Sequence, residues 1–204
     1  MRNKTMALAA LAITGTLTLA ACGSSSNSMK GMPGMGSATT MSPTSPGAAA
    51  MAKFNGADVT FATDMIPHHR QAVEMAQLAG TRSKNPQVKK LALQIMNAQD
   101  PEIQTMSGWL TTWGNPIPEN MTGMDMSGSM PGMMSSQDMD KLKNSLGVEF
   151  DRMFLTMMIA HHEGAITMAK SEQAGGMNTD AIALAKRIEK AQTEEIATME
   201  GLLK

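Results

Sequence analysis

The sequence predicts an all-α protein, a four-helix bundle built from two duplicated helical hairpins. Three observations predict it: an internal repeat, apolar residues every three to four positions, and helix-capping residues at the ends of these periodic stretches. The repeat aligns residues 61–110 with residues 154–203 at a constant offset of 93, and 21 of the 50 aligned positions are identical. Such identity without a gap indicates a duplication. Two helical hairpins joined by a link predict a bundle with a pseudo-two-fold axis.

Two amphipathic helices are predicted in the first half. The first runs from about Asp58 to Leu78, and Gly80 is expected to end it. Asn85 and Pro86 then provide a cap and a first position for a second helix, which extends to about Trp113.

Three helices are predicted in the second half. A short helix from about Gln137 to Ser145 precedes a long one from about Val148 to Gln173. Gly175 and Gly176 are expected to stop the long helix, because glycine readily leaves the helical conformation. The last helix spans about Thr179 to Leu203.

Residues 1–21 are typical of an export signal. Arg2 and Lys4 precede an apolar run that is too short to span a bilayer, and the run ends in LAAC. This ending resembles the lipobox of bacterial lipoproteins, with cleavage before Cys22, the only cysteine. The alternative is a plain secretory leader with an incidental cysteine. We expect an acylated Cys22 that anchors the protein on the extracytoplasmic side of the membrane of the cell envelope.

Two segments of low sequence complexity flank the first half. Residues 22–52 contain Gly, Ser, Pro, Ala, Thr and Met with a single charge, Lys30, and are predicted to be a disordered tether. The duplicated domain then covers residues 53–204, with halves 53–114 and 136–204. A Met-rich linker over residues 115–135 is predicted as a loop between them.

The composition narrows the class of protein. The chain has 24 Met against 4 Phe, 2 Trp and no Tyr, so either its core is soft or its sulfur is functional. Without the export signal it carries 15 Lys and Arg against 18 Asp and Glu, which argues against nucleic-acid binding. The mature domain has neither a disulfide nor a thiolate metal ligand, because Cys22 is the only cysteine.

All four histidines occur as two adjacent pairs at equivalent positions of the repeat. At about 100° per residue, each pair shares one helical face with two methionines and two alanines. The predicted metal ligands are Met65, His68, His69, Met75, Met158, His161, His162 and Met168. The alternatives are methionine as core filler and histidine as a hydrogen-bonded buried ring. The matching pairs favour a metal site.

The ligand types predict copper. Thioether sulfur binds Cu(I) well and hard cations poorly, while imidazole suits copper, zinc and iron. A di-iron carboxylate centre needs a glutamate three residues before a histidine, and neither Asp nor Glu stands there. Glu102 and Glu195 match across the repeat and either orient an imidazole or lie on a solvated face. Asp64, four residues before His68, either hydrogen-bonds that ring or is exposed.

Methionines also cluster outside the predicted helices. Three of those in the tether lie close together, Met29, Met32 and Met35, and six lie in the linker: Met121, Met124, Met126, Met130, Met133 and Met134. A Gly/Ser/Pro backbone lets closely spaced thioethers gather around one ion. The linker methionines are therefore candidates for a secondary copper site, and low-complexity drift is the alternative.

Two motifs resemble a known family. FATDMIPHHRQAVEMA and FLTMMIAHHEGAITMA, each followed by a helix bearing AQ-x-x-E-I-x-T-M-x-G, resemble the duplicated signature of the bacterial domain-of-unknown-function family numbered 305. The resemblance covers about Lys53 to Lys204 and implies a ferritin-like fold. Its members include periplasmic copper-binding proteins, which implies copper sequestration or delivery. The resemblance reaches the eight predicted ligands and, more weakly, Glu102, Met106, Glu195 and Met199. Pro101 departs from the family pattern.

Three classes of function follow. The first is an extracytoplasmic copper-binding protein that is not an enzyme, with copper-transport proteins or cuproproteins as partners. The second is a metal-dependent oxidase, either di-iron or a cuproxidase, which the missing carboxylate ligands and the absence of Tyr disfavour. The third is a Met-rich interaction module with structural histidines.

Overall fold

A computed structural model describes residues 53–119 and 130–204 of the chain. These residues form α-helices and no β-strand, which confirms the predicted fold class. The helices are α1 (Gly56–Arg82), α2 (Pro86–Thr112), α3 (Ser136–Asn144), α4 (Gly147–Gly175) and α5 (Thr179–Leu202). None of the helices in these two stretches is long and apolar enough to cross a membrane. The predicted export signal, the lipidation site Cys22 and the tether lie outside the described residues.

Helix α1 begins at a capping box. The Asn55 side chain accepts hydrogen bonds from the backbone of Ala57 and Asp58, and the Asp58 carboxylate accepts from the Asn55 N–H at 2.6 Å. The predicted end at Gly80 is wrong, because α1 continues to Arg82. An exposed glycine costs a helix about 1 kcal/mol and does not end it without a left-handed cap, which Gly80 does not form.

Equivalent asparagines start the second helix of each hairpin. The Asn85 side chain accepts a hydrogen bond from the Gln87 N–H at 2.9 Å, and the Asn178 side chain accepts from the backbone of two residues of α5. The predicted cap at Asn85 and first position at Pro86 are confirmed. Helix α2 continues through Pro101, so the departure from the family pattern does not break the helix before Glu102.

Helix α4 is the longest of the five. It begins at Gly147, whose φ of 59° lies in the left-handed region, and it ends at Gly175, as predicted. Helix α3 precedes it and starts at a Ser135 cap that accepts from the Asp138 N–H at 3.1 Å. Each long hairpin, α1 with α2 and α4 with α5, packs on itself, and α1 packs against α4.

The core divides into two hydrophobic clusters, and the four histidines lie between them. The first core cluster contains Ala72, Met75, Ala76, Ala79, Val88, Leu91, Ala92, Ile95, Leu142, Phe150, Phe154, Leu155, Met158 and Met199. The second core cluster contains Phe61, Ala62, Met65, Ile66, Met106, Leu110, Trp113, Ala165, Ala169, Ala181, Leu184, Ala185 and Ile188.

The two core clusters are equivalent to each other under the repeat. Phe61, Met65 and Met106 of the second cluster correspond at the offset of 93 to Phe154, Met158 and Met199 of the first. Each cluster also takes residues from both halves of the chain. The duplication therefore appears as two equivalent cores, with a layer of histidines where they meet.

Candidate metal centre

Helices α1 and α4 bring the two histidine pairs together in the interior. All four side chains have no solvent exposure. The rings of His68 and His161, which are equivalent in the repeat, have their centroids 3.8 Å apart and their planes inclined by 39°. These two rings therefore meet across the pseudo-two-fold relation between the halves.

We call His68 and His161 the inner rings and His69 and His162 the outer rings. Each outer ring hydrogen-bonds to a carboxylate. Nε2 of His69 lies 2.8 Å from Oε2 of Glu102, and Nε2 of His162 lies 2.7 Å from Oε2 of Glu195. A carboxylate accepts, so each ring donates its Nε2–H and leaves Nδ1 with a lone pair. Of the two roles that the sequence left open for Glu102 and Glu195, the structure therefore favours the first: both orient an imidazole and do not lie on a solvated face.

The inner rings differ from each other. Nε2 of His68 lies 3.0 Å from the carbonyl oxygen of Pro131, to which it donates. Neither nitrogen of His161 makes a hydrogen bond of good geometry with a described residue, although a weak contact with the His68 backbone acts to raise the pKa of this ring. Nδ1 of His68, His69 and His162 also has no partner among the described residues. The layer therefore contains five buried imidazole nitrogens without a partner among the described residues.

Burial keeps the inner rings neutral. Loss of solvation, with a smaller contribution from the neighbouring His69, lowers the pKa of His68 to about 3, although the bond to Pro131 acts in the other direction. Loss of solvation, reinforced by His68, likewise lowers the pKa of His161 well below its ordinary value. Neutral imidazole is the form that ligates metals. Both rings are in that form at physiological pH.

Buried thioethers flank the histidine layer. Met65 and Met158, one turn before the two pairs, are fully buried in opposite core clusters, and so is Met75. Met168 is only partly buried and packs against the second core cluster. Met106 and Met199, one turn after the two glutamates, are also fully buried.

Asp64 meets neither of the two alternatives that the sequence left open, a hydrogen bond to His68 or full exposure. Its side chain is half-buried, and burial raises its pKa. The Nε2 atom of His68 bonds to Pro131 and its Nδ1 atom has no partner among the described residues, so Asp64 does not hydrogen-bond this ring.

Half of the candidate linker methionines fall within the described residues. Met130 and Met133 are buried, and Met134 is partly buried against the first core cluster. These three therefore pack on the domain instead of forming an exposed loop site. Met121, Met124 and Met126 lie outside the described residues.

The segment Met130–Met134, called here the central turn, is a part of the site that the sequence did not predict. It carries the Pro131 carbonyl that bonds to His68, and it lies on α4 at Gly164. A hint was available, because Gly164 stands where the other half has Gln71. The pattern gave no reason to connect either residue with the linker.

The donor set is unsuited to a hard metal. Across residues 53–119 and 130–204, no group of three or more His, Cys, Asp or Glu side chains is arranged to hold an ion. Imidazoles and buried thioethers are the soft donors in and around this layer, and such donors suit copper better than iron in a carboxylate centre. Fold and site together define a class: all-α proteins made of duplicated helical hairpins, with paired histidines buried between methionines.

The family follows from comparison with known proteins. A family model described as a domain of unknown function, DUF305, matches residues 58–203. The chain belongs to the DUF305 family, as the two histidine motifs predicted. An uncharacterised protein of Acanthamoeba polyphaga mimivirus is 38% identical over 53 residues, a match that spans only 35% of that protein.

Solved structures share the fold over most of their length. A DUF305 protein of Streptomyces coelicolor, described as secreted, is 35% identical, with 72% of this chain and 91% of that chain covered and a TM-score of 0.66. A DUF305 fragment of Deinococcus radiodurans is 34% identical, with coverage of 73% and 96% and a TM-score of 0.65. CopM in its Cu(II)-bound form is 33% identical, with coverage of 72% and 95% and a TM-score of 0.63. CopM has also been crystallised with Cu(I) and with silver.

Proposed function

We propose that this chain is an extracytoplasmic copper-binding protein that holds copper, preferentially Cu(I), in the layer between its two core clusters. The observation that carries the proposal is the set of five buried imidazole nitrogens without hydrogen-bond partners among the described residues. An unsatisfied buried polar group costs about 1–3 kcal/mol. A metal ion that accepts the one lone pair that each neutral ring carries would offset part of that cost.

The soft character of the layer favours copper. Met65 and Met158 are fully buried one helical turn before the two histidine pairs, and Met75 is fully buried about two turns after His68. Met106 and Met199 are two further buried thioethers. Thioethers bind hard cations poorly, and neutral imidazoles bind both Cu(I) and Cu(II). Structures of CopM with Cu(I), Cu(II) and Ag support the proposal, because that protein shares the fold at about one-third identity.

The two glutamates fit the same function. A carboxylate that accepts from the far nitrogen of a metal-ligating histidine fixes its tautomer and raises its basicity. Glu102 and Glu195 make this bond with the same spacing of 33 residues in the two halves. The duplication thus provides two oriented outer imidazoles, His69 and His162.

We also propose a cellular setting for this activity. The export signal and the LAAC sequence that ends in Cys22 indicate a lipid anchor on the extracytoplasmic side of the membrane. The relative in Streptomyces coelicolor is described as secreted, which agrees with export. There the chain would sequester, buffer or deliver copper to transport proteins or cuproproteins, without catalysing a reaction.

An anaerobic titration with Cu(I) against a competing chelator tests the proposal. Replacing all four histidines with alanine should abolish the tightest binding, and His161→Leu alone should weaken it about tenfold or more because it removes two unpartnered nitrogens. Phe154→Leu is the matched control, since it alters a buried ring on the same helix without removing a donor. Stoichiometric uptake without oxygen consumption is expected.

Two results would contradict this function. If the variant that lacks all four histidines stays helical and keeps its Cu(I) affinity, the linker methionines would be the binding site instead. Sustained oxygen consumption on addition of Fe(II) or Cu(I) would instead indicate the oxidase alternative.

A further inference from the structure

The central turn crosses the histidine layer and touches both of the helices that carry the histidines. On α1, the Gln71 side chain holds the last residue of the turn: Nε2 donates to the Met134 carbonyl at 2.9 Å, and Oε1 accepts from the Met134 N–H at 2.7 Å. This pair of hydrogen bonds resembles the pairing of two strands and fixes both the position and the direction of the turn.

On α4, the turn lies directly on the helix backbone. A Cβ atom on Gly164 would overlap the Pro131 carbonyl, so the turn can approach only because this residue has no side chain. Gly132 is similarly constrained, since its φ is 77° and a Cβ atom there would lie 2.6 Å from the Ala160 carbonyl oxygen. The approach thus depends on glycine on both sides of the contact.

The two residues that contact the central turn occupy equivalent positions in the two halves of the repeat. Gln71 and Gly164 differ by the offset of 93, yet one holds the turn and the other makes room for it. A single turn cannot obey a two-fold relation, so the two halves have diverged around it. Divergence at this position is therefore explained by the turn.

The chemical consequence falls on the inner histidines. The Pro131 carbonyl can only accept, so the bond at 3.0 Å places the proton of neutral His68 on Nε2 and leaves the lone pair on Nδ1. His161 has no such partner among the described residues. Two rings that the repeat makes equivalent are thereby given different roles.

We propose that the central turn, held by Gln71 and admitted by Gly164, is the positioning element of the copper site: it makes His68 an Nδ1 ligand and does not fix the tautomer of His161. This inference rests on the proposed function. Gln71 and Gly164 touch no ion themselves and act through His68. Loss of such an orienting contact typically weakens metal binding about 10- to 100-fold.

The tautomer of His68 is measured first, in metal-free protein. Long-range ¹H–¹⁵N NMR distinguishes Nδ1–H from Nε2–H rings, and the chain has only four histidines to assign. We expect His68 of the unmodified protein to be the Nε2–H form. Gly164→Ala, which displaces the turn from α4, and Gln71→Ala, which releases it from α1, should both reduce that preference.

Cu(I) affinity is then measured on the same variants by anaerobic chelator competition. Both variants should bind about 10- to 100-fold more weakly than the unmodified protein. Gly108→Ala is the matched control, because Gly108 is an exposed helical glycine with open space around it. It should change neither the tautomer nor the affinity.

The inference is overturned if His68 is not the Nε2–H form, or keeps that form in Gly164→Ala. It is also overturned if the tautomer preference is lost while Cu(I) affinity stays the same. Failure of the proposed function itself looks different, since His161→Leu would then leave Cu(I) binding intact.

Discussion

Buried polar side chains in this protein have protonation states that their surroundings decide. The inner histidines are neutral because burial lowers their pKa. A second case lies at the end of the bundle, where Glu172 is 1% exposed beside the fully buried Asp58. Burial raises the pKa of Glu172 to about 8, and the neighbouring Asp58 carboxylate acts in the same direction.

The two carboxyl groups divide one proton unequally. Burial acts to raise the pKa of Asp58, but hydrogen bonds from the backbone of Asn178, Asn55 and Met177 outweigh it and lower that pKa. Asp58 is therefore the carboxylate, and Glu172 is the protonated acid beside it. The sequence did not predict this pair of carboxyl groups.

Glu172→Gln should make the protein more stable at alkaline pH. A raised pKa in the folded state means that the stability of the unmodified protein is fully present below about pH 4.5 and declines as pH rises toward about 8. Glutamine imitates the protonated acid and does not ionise. The expected gain in the free energy of unfolding is roughly 2–4 kcal/mol at pH 8.

Urea denaturation at pH 4.5 and at pH 8 measures this difference. The gain should shrink toward zero at pH 4.5, because Glu172 is then protonated in the folded protein. An equal gain at both values of pH would show that the variant acts through packing and not through the proton.

The helices owe their boundaries to residues at their ends. Asparagines cap α1, α2 and α5, and the cap at Asn85 was predicted from the sequence. Glycine has two opposite roles. Gly80 lies within the last turns of α1, whereas Gly147 starts α4 with a φ of 59°. A Cβ atom added to either glycine would meet no other atom within 4 Å, so only the backbone conformation distinguishes them.

Gly80→Ala should stabilise the protein by about 0.5–1 kcal/mol, because alanine loses less backbone freedom than glycine on entering a helix. Gly147→Ala is the matched comparison and should destabilise it by about 1 kcal/mol, since its backbone is left-handed. Thermal denaturation of the two variants shows whether each substitution raises or lowers the stability of the protein. The same sign for both would contradict the assignment of their conformations.

The molecule as a whole is held together by two cores that each belong to both halves. The first core cluster joins Ala72 and Leu91 to Phe154 and Met199, and the second is its equivalent under the repeat. A single hairpin exposes the faces that form both clusters. The histidine layer is likewise completed only when α1 meets α4.

A polypeptide of residues 53–114 should therefore not fold as a monomer. Any cooperative structure should require association, either with residues 130–204 or with a second copy that imitates the missing half. The midpoint of thermal unfolding, followed by circular dichroism, should then rise with protein concentration. A monomeric fragment with a concentration-independent cooperative transition would contradict a shared core.

The sequence by itself determined the elements and the metal-binding candidates. Periodicity, caps and the offset of 93 predicted the helices, because these signals are local or repeated. The same repeat singled out the paired histidines and the matched Glu102 and Glu195, which the structure joins to His69 and His162. It failed at Gly80, where a residue that often ends helices lies inside one.

Only the tertiary structure decided how the two halves differ. The bond between His68 and Pro131 joins residues 63 positions apart through a backbone carbonyl, which every residue has and no sequence pattern marks. The raised pKa of Glu172 similarly depends on Asp58, which packing brings to it from another helix. Local chemistry is encoded in residue types, whereas burial and long-range partners exist only once the chain has folded.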